Sequence, residues 1–398
     1  MRIALVNNNN NIFFSIARHL RDRGHDVTLC IMDYEYGDAP HFHPSCDTFD
    51  LDYQKYSRVV EWGNPRSFSS YDMAKVKRDL EPFDFVLGSG STPAFMGRIG
   101  RPLDVFVPWG SDLCEDPFNL PPFNRRSVRS LFEYPYWQRR GIRETRCVFG
   151  DVSPVIDPQL AQLDYKGKRV IASAPMPYSG LYTPSVLDQY KTRTCWFPYV
   201  KALRDRVDVL VHAPARHVWR STLNYNWSKG NDKLIRGVAE AKRKHPDKRV
   251  GLVFYEYGPD VAASRALVEE LGLAEDVLWF PLSHRKDVMV NLLACDFSCG
   301  ELGETSWYTG GTILESLALG KPLVHRREDA LFAEHYKEMY PMVNVRSAED
   351  IAGVLSGFFA DPGKYRDIGA RGQAWFEEHV SRRSLDALEA LVGTRGRG

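Results

Sequence analysis

The sequence has no long apolar run, no cysteine pair with C-x-x-C spacing and almost no net charge. The apolar start ends at Val6, which is too early for a signal peptide, and no segment reaches membrane-spanning length. The seven cysteines are scattered and odd in number, which favours reduced thiols and disfavours a zinc site. A net charge of +1 gives no general attraction to nucleic acid or anionic lipid. We therefore expect a cytoplasmic protein with no nucleic-acid partner, peripheral at the inner face of the membrane if it meets the membrane at all.

A G-x-G-x-x-G fingerprint is also missing, although the chain opens as strand, helix and strand. The first strand, Ile3 to Val6, leads into a run of asparagines instead, which disfavours a dinucleotide cofactor. What the chain does contain is short apolar runs alternating with amphipathic helical patterns, typical of βα units and parallel sheets. A length of 398 residues suits two such α/β domains.

The organisation along the chain predicts two domains and a final helix. The pattern breaks into Lys- and Pro-rich sequence around 165–185, so we place the boundary there. The predicted divisions are 1–184, 185–372 and 373–398, and an amphipathic last helix runs from about Gly369 to Leu391. The predicted strands are Ile3–Val6, Val27–Ile31, Asp84–Leu87, Asp104–Val107, Asp208–His212, Val250–Phe254, Val277–Pro281 and Pro322–His325.

The most informative motif is a glycine pair that opens a helix. Gly310 and Gly311 precede an apolar helical face, and bare N–H groups at a helix start, with its dipole, suit a diphosphate. Glu315 lies over one turn into that helix, where it can accept hydrogen bonds from a ribose. Tyr308 and Thr312 flank the glycines and are grouped with this binding site.

Basic residues upstream supply the charge that a diphosphate requires. Lys229 beside Gly230 can neutralise a departing diphosphate, and Arg216 and Arg220 are further candidates after an earlier strand. Two other strand ends fall on the same expected edge, where a base can rest against backbone. They contain Gly258 and Leu282.

Together these residues resemble the large retaining GT-B glycosyltransferase family that includes many bacterial cell-surface glycan enzymes. The segment 174–184 is similar to its inter-domain segment, Lys229-Gly230 to its phosphate-contacting K-G, and 314–324 to its L-E-A-M-A-x-G-x-P-V. The resemblance implies a GT-B fold, with two Rossmann-like domains facing across a cleft and a final helix crossing back to the first. It also implies a nucleoside-diphosphate sugar as donor, diphosphate contacts from Lys229 and an arginine near 216, and ribose binding by Glu315.

The sequence departs from that family in two places. The family usually has a glutamate eight positions before Glu315, and this chain has Trp307 at that position, as in a recognisable subset with Trp-Tyr-Gly. Glu301 or Glu304 could take the place of the missing glutamate if the loop is changed. A family histidine is also replaced, because the matching loop reads Trp109 to Asp112.

Three other motifs have an ordinary alternative. Asp50-Leu-Asp52 is formally a D-x-D, but it has no nucleotide-binding context, so we predict a solvated loop and no metal. Asp112 either orients an acceptor hydroxyl as a catalytic residue or caps the next turn. The segment from Arg125 to Arg146 interleaves arginine with aromatics, which suits a membrane surface, although an ordinary solvated helix is favoured.

The function predicted from these observations is sugar transfer from a nucleoside-diphosphate sugar to a glycan, lipid-linked or other hydroxyl acceptor. The resemblance alone implies retention of configuration and a place in cell-surface polysaccharide or glycoconjugate synthesis. Two alternatives stay open: a GT-B nucleotide-sugar epimerase or hydrolase, and a non-catalytic GT-B protein that binds a glycan or a partner.

Overall fold

A computed structural model of the chain describes residues 1–33, 42–62, 65–118, 128–154, 156–220, 228–304 and 308–395. The chain forms two compact units. Unit 1 comprises Met1–Tyr178 and His379–Gly398, and unit 2 comprises Ser179–Glu378. The sequence predicts divisions after 184 and 372, whereas the chain leaves unit 1 after Tyr178 and returns to it at His379.

Unit 1 is built on a seven-stranded parallel sheet in the order β3-β2-β1-β4-β5-β6-β7. Central β1 is buried along Ile3 to Val6, as expected for a strand covered on both faces. The strands are β1 (Arg2–Val6), β2 (Asp26–Met32), β3 (Ser57–Val60), β4 (Phe85–Gly88), β5 (Val105–Phe106), β6 (Cys147–Gly150) and β7 (Lys168–Ile171).

The helices of unit 1 pack apolar faces against this sheet. In the first, Phe13, Ile16 and Leu20 are buried. It ends at Asp22, and Gly24 follows with φ +87° and donates its N–H to the carbonyl of Arg21 at 2.9 Å, which closes the helix end. The helices are α1 (Ile12–Asp22), α2 (Met73–Leu80), α3 (Thr92–Arg98), α4 (Ser111–Cys114), α5 (Val128–Glu144) and α6 (Ile156–Gln162).

Unit 2 has a six-stranded parallel sheet in the order β10-β9-β8-β11-β12-β13. Its core is apolar, with Val211, Phe254 and Phe297 fully or almost fully buried, and β8 is buried over its whole length. The strands are β8 (Val209–Ala213), β9 (Val250–Glu256), β10 (Val277–Pro281), β11 (Phe297–Cys299), β12 (Leu323–His325) and β13 (Val343–Asn344).

The helices of unit 2 connect successive strands and cover the sheet. One of them begins with a capping box, in which Ser347 and Asp350 each accept a backbone N–H of the other. The helices are α7 (Pro184–Leu187), α8 (Phe197–Arg204), α9 (Asn231–Lys244), α10 (Val261–Glu270), α11 (Arg285–Leu293), α12 (Gly311–Ala318), α13 (Ala348–Ala360) and α14 (Pro362–Phe376). Short 3₁₀ turns lie at Asn9–Asn11, Pro44–Cys46, Asp52–Lys55, Pro65–Ser70, Asp188–Arg193, Ala274–Asp276 and Asp329–Leu331.

The C-terminal segment returns to unit 1 through α15 (Leu385–Arg395). The guanidinium of Arg23, just after α1, lies 2.8 Å from Asp386 and 2.8 Å from Glu389, and His25 lies 2.7 Å from Glu389. The sequence predicts one continuous last helix, but a π-helical stretch, Glu377–Ser384, separates α14 from α15.

One strand lies where the sequence predicts only a domain boundary. β7 falls inside the Lys-rich stretch, and none of its residues is fully buried, because it forms the edge of the sheet. An edge strand with one side towards solvent does not need an apolar run, so the sequence pattern gave no signal for it.

Candidate functional site

The carboxyl ends of the unit 2 strands bring the candidate residues to one edge of the sheet. β8 pairs with β9 on one side and with β11 on the other, so the strand order changes direction there. In open parallel sheets, ligands bind beyond the carboxyl ends of the strands at such a switch point. Residues 214–220 follow β8 and residues 300–304 follow β11, so these segments flank the switch point of unit 2.

Lys229 is fixed by backbone bonds to both segments. Its N–H donates to the carbonyl of Val218 at 2.6 Å, and its carbonyl accepts the N–H of Leu302 at 2.9 Å. Gly230 has φ +63° at the start of α9, and a Cβ there would lie 2.7 Å from the carbonyl carbon of Leu302. Glycine is therefore required beside Lys229 both for the left-handed backbone and for the close approach of residues 300–304.

The ammonium of Lys229 forms an ion pair with Glu301, with Nζ 2.5 Å from Oε1. The two side chains are only 11% and 23% exposed, so the pair is shielded from water. Burial raises the pKa of Glu301, but the charge and hydrogen bond of Lys229, with a smaller contribution from Arg216, outweigh burial and leave the pKa below its ordinary value. The Glu301 carboxylate is thus ionised beside the Lys229 ammonium.

The two candidate arginines differ in their surroundings. Arg216 is half-buried, with its guanidinium 5.9 Å from the ring centre of Tyr257. A Cβ at Gly258, which has φ +111°, would lie 2.8 Å from the Arg216 side chain, so Gly258 supports Arg216 from behind. Arg220 is exposed, and its guanidinium lies 5.6 Å from the ring centre of Trp219. Arg216 thus lies half-buried on the segment that follows β8, two residues before Val218, which binds the backbone of Lys229, whereas Arg220 lies at the surface.

The predicted glycine pair does open a helix. α12 begins at Gly311, and Gly310, Gly311 and Thr312 are half-buried. An added Cβ at Gly310 would meet no atom within 4 Å, so there is open space beside the helix start. Because the first N–H groups of a helix have no partner within it, they can donate to an anion placed there.

Glu315 is 8% exposed and pairs with Arg285, the first residue of α11. Arg285 Nε donates to Glu315 Oε1 at 2.8 Å. A carboxylate can accept several hydrogen bonds, so this pairing is compatible with ribose binding, which stays a prediction.

Tyr308 and Leu282 have opposite environments. Tyr308 is 1% exposed, its ring stacks on Tyr336 at 3.7 Å, and its carbonyl accepts from the Tyr340 hydroxyl at 2.8 Å, so this residue is part of the core beside the helix start. Leu282 directly follows β10 and is 46% exposed. Trp307, at the position of the family's first glutamate, lies outside the described residues.

Sequence reasoning missed two buried residues at this edge, Arg285 and His325. His325 ends β12, and its Nδ1 accepts the N–H of Glu301 at 3.0 Å. Burial lowers the pKa of His325 to about 4, so the ring is neutral. A histidine inside an apolar strand was the one available signal, and it is also an ordinary feature of protein cores.

A second charge cluster, on the same segment as Glu301, involves Glu304. It lies 3.1 Å from Lys233 on α9 and also pairs with Arg326. The Arg326 hydrogen bond and the charges of both cations hold the pKa of Glu304 below its ordinary value, against burial. Glu304 is 40% exposed, which makes this cluster a more open counterpart of the Lys229–Glu301 pair.

In unit 1, Asp112 ties two loops together. Its Oδ1 accepts the N–H groups of Trp109 and Gly110, and its Oδ2 accepts that of Gly90, all at 2.9 Å. Burial raises the pKa of Asp112 to about 6 in spite of these bonds. These bonds go to residues that precede Asp112 in the chain, and both the cap of the next turn and a contact with an acceptor hydroxyl stay predictions.

Asp116 nearby gives a prediction for pH-dependent stability. Burial, with the charges of Asp112 and Glu115, raises the pKa of Asp116 to about 7, although Tyr134 donates to its Oδ2 at 2.9 Å. Between the unfolded pKa near 4 and the folded pKa, the folded state holds a proton that the unfolded state has lost, so stability falls as pH rises through this range. We expect Asp116→Asn to be about 2 kcal/mol more stable than wild type at pH 8 and nearly equal near pH 4.

The measurement for Asp116 is urea unfolding of both proteins across that pH range. Glu115→Gln is the matched control, since it removes a neighbouring charge but keeps the Tyr134 bond, and it should recover a minor part of the gain. A gain that is the same at both pH values would contradict the assignment.

The described part of the arginine- and aromatic-rich segment supports the ordinary-helix alternative. Arg139 donates to the carbonyl of Pro117 at 2.5 Å, Arg143 donates to that of Leu163 at 2.8 Å, and Arg140 pairs with Glu144. Phe132 and Tyr136 are exposed on the same helix, and Arg125 lies outside the described residues. Across the described ranges, no helix is both long enough and apolar enough to cross a bilayer.

The D-x-D pair is engaged locally. Asp50 Oδ1 accepts the N–H of Asp52 at 3.0 Å, and Asp52 pairs with Lys55 at 2.7 Å. Among the residues that the structure describes, no three His, Cys, Asp or Glu side chains gather as a metal site would require.

No protein-family profile matches the chain, and no curated protein matches it. Solved structures match over nearly its whole length. HepE of Anabaena in complex with UDP-glucose gives a TM-score of 0.63 at 16% identity, covering 99% of this chain and 100% of that one. Sucrose-phosphate synthase from Thermosynechococcus elongatus gives 0.57 at 14%, covering 100% and 98%. UDP-GlcNAc 2-epimerase from Neisseria meningitidis bound to UDP-GlcNAc gives 0.58 at 12%, covering 99% and 100%.

The fold is GT-B. The predicted fold class is therefore confirmed. The chain has two Rossmann-like parallel sheets, and its C-terminal helix contacts the N-terminal region. GT-B structures similar to this chain include nucleotide-sugar glycosyltransferases and UDP-GlcNAc epimerases, and glycosyltransferases are the more numerous of those compared. At these identities the similarity concerns the fold, and function depends on the residues of the site.

Proposed function

We propose that this GT-B protein transfers a sugar from a nucleoside-diphosphate sugar to a hydroxyl acceptor, and that the nucleotide binds at the switch point of unit 2. The observation that carries the proposal is the shielded Lys229–Glu301 pair at that switch point. The Lys229 ammonium, with Arg216 on the segment after β8 and the Gly310–Gly311 helix start on the same sheet edge, supplies the charge and the N–H groups that a diphosphate requires.

The chemistry follows from where charge develops. When the bond between the sugar carbon and the diphosphate oxygen breaks, the electron pair stays on the diphosphate. The acceptor oxygen forms the new bond to the carbon, and the proton of the acceptor hydroxyl passes to the departing diphosphate. Lys229 and Arg216 stabilise that charge, assisted by the N–H groups at the start of α12. Retention of configuration and a role in cell-surface polysaccharide or glycoconjugate synthesis are proposed on the family resemblance.

The nucleoside is placed by Glu315 in this proposal. Its carboxylate accepts from the ribose hydroxyls, while Arg285 holds it in orientation from the opposite helix. Gly258 and Leu282, which follow β9 and β10, supply backbone for the base.

The test is a thermal-shift and calorimetric titration with UDP, GDP, ADP, CDP and dTDP. We expect one diphosphate to stabilise the protein. If it is one of the four ribonucleotides, its 2′-deoxy form should bind about tenfold more weakly, because it loses a charge-assisted hydrogen bond to Glu315. A ligand-side change is preferable here because mutating Glu315 would also break its buried ion pair with Arg285. No response to any diphosphate would refute the proposal.

A nucleotide-sugar epimerase or hydrolase is the second candidate, favoured by the similarity to UDP-GlcNAc 2-epimerase. The two functions differ in their need for an acceptor. Conversion of the bound donor without any acceptor would support this candidate, whereas a non-catalytic protein would leave the donor unchanged.

A further inference from the structure

We propose that Glu301 is a resident counter-ion of the diphosphate site. Its carboxylate pairs with Lys229 while no nucleotide is bound, and it lowers the affinity of the site for the nucleoside diphosphate that remains after transfer. The inference rests on the proposed function, because it assigns Glu301 a role in product release. Glu301 is not the glutamate of the family pattern, because that glutamate's position is occupied by Trp307 in this chain.

The backbone of Glu301 is anchored on both sides. Its N–H donates to His325 Nδ1 at 3.0 Å, and its carbonyl accepts the N–H of Arg326 at 3.0 Å. The next residue, Leu302, donates its N–H to the carbonyl of Lys229. The Glu301 carboxylate therefore faces the Lys229 ammonium because two fixed backbones place them together.

Residues 300–304 pack closely against their neighbours. A Cβ at Gly300 would lie 2.8 Å from His325 Nδ1, and one at Gly303 would lie 1.9 Å from the carbonyl oxygen of Ser228. With this backbone in place, a diphosphate that reaches Lys229 shares the cation with Glu301 or displaces the Glu301 side chain. In either case, a negative charge of the protein stays close to the bound phosphates.

The negative charge of Glu301 repels the donor and the product to different extents. Each phosphate of a donor diphosphate carries one negative charge, because both are esterified. After transfer the terminal phosphate is a monoester, whose second pKa of about 6 gives it close to two charges at neutral pH. Since repulsion grows with the product of the charges, Glu301 disfavours the product more than the donor.

The chain offers a matched control. Lys233 and Glu304 also join α9 to residues 300–304, at 3.1 Å, but Arg326 shares that carboxylate and Glu304 is 40% exposed. If ligand affinity changes simply because a negative charge is removed from residues 300–304, Glu304→Gln should change it as well. If it changes because Lys229 loses its counter-ion, only Glu301→Gln should change it.

The experiment is calorimetric binding of UDP, UDP-glucose and inorganic pyrophosphate to wild type, Glu301→Gln and Glu304→Gln. We expect Glu301→Gln to bind UDP and pyrophosphate about tenfold more tightly and UDP-glucose about threefold more tightly, because a repulsive charge has been removed. Glu304→Gln should bind all three like wild type. Glu301→Ala, checked for a cooperative melt, should shift affinity in the same direction if the glutamine variant does not fold.

Each other result has a distinct meaning. Unchanged affinities in Glu301→Gln would overturn the inference, and weaker binding of UDP-glucose alone would show instead that Glu301 contacts the sugar. If Glu301→Gln binds pyrophosphate more tightly than wild type, but neither protein prefers a nucleoside diphosphate to pyrophosphate, the counter-ion role is supported and the proposed function is refuted.

Discussion

Lys229→Ala is expected to weaken binding of the nucleoside diphosphate about 100-fold, because it removes a charge-assisted contact to the phosphates in a shielded site. Lys229 is only 11% exposed, and its backbone is bonded to residues on both sides of the switch point. Little of its interaction with a ligand is therefore lost to solvent screening. Calorimetric titration with the stabilising diphosphate measures the effect directly.

Two controls separate the cation from the ion pair. Lys233→Ala removes a lysine in the first turn of α9, with its pair to Glu304 and its bond to the Leu302 carbonyl at 3.0 Å. We expect a change of less than about threefold, because a partly exposed ion pair contributes little and Leu302 keeps its backbone bond to Lys229. Lys229→Ala combined with Glu301→Gln leaves no unpaired carboxylate. If that double variant binds like wild type, the defect of the single variant comes from the exposed negative charge and not from a missing phosphate contact.

Gly303→Ala should lose about 3 kcal/mol of stability and most nucleotide binding together. A Cβ there would lie 1.9 Å from the backbone oxygen of Ser228, so one of the two segments must shift. That shift separates residues 228–230 from 300–304 and breaks the bond between Leu302 and Lys229. Urea unfolding and the nucleotide-induced thermal shift, measured on the same sample, test both effects.

Gly353→Ala is the matched control for this substitution. Gly353 lies inside α13, and an added Cβ there meets no atom within 4 Å. We expect Gly353→Ala to be as stable as wild type or up to about 1 kcal/mol more stable, with unchanged nucleotide binding. If Gly303→Ala behaved the same way, the packing of residues 300–304 against Lys229 would not matter for the site.

Much of the fold could be predicted because central parallel strands must be apolar on both faces. β1 and β8 are buried almost throughout, and such runs stand out in the sequence. β7 does not stand out in the sequence, because an edge strand can keep charged side chains in solvent. The interruption before α15 was invisible for another reason: Trp375, Val380 and Leu388 continue an amphipathic pattern through the π-helical stretch, although the backbone changes there.

The site was predictable as far as local chemistry determined it. A lysine next to a glycine and a glycine pair before a helix follow from the needs of a close backbone approach, and both occur as expected. Partners that come from distant strands were not predictable. The pairing of Glu301 with Lys229 and that of Arg285 with Glu315 depend on which loops the sheet order brings together, and one sequence does not specify this order.

The return of the chain to unit 1 has a consequence for its synthesis. Residues 1–178 leave the ribosome first, yet Asp386 and Glu389, which clamp Arg23 and His25, are made only after all of unit 2. Because domains fold as they emerge, unit 2 can complete its sheet while unit 1 still lacks its closing helix. A premature stop that removes α15 would thus leave unit 1, which is made before unit 2, incompletely folded although unit 2 is complete.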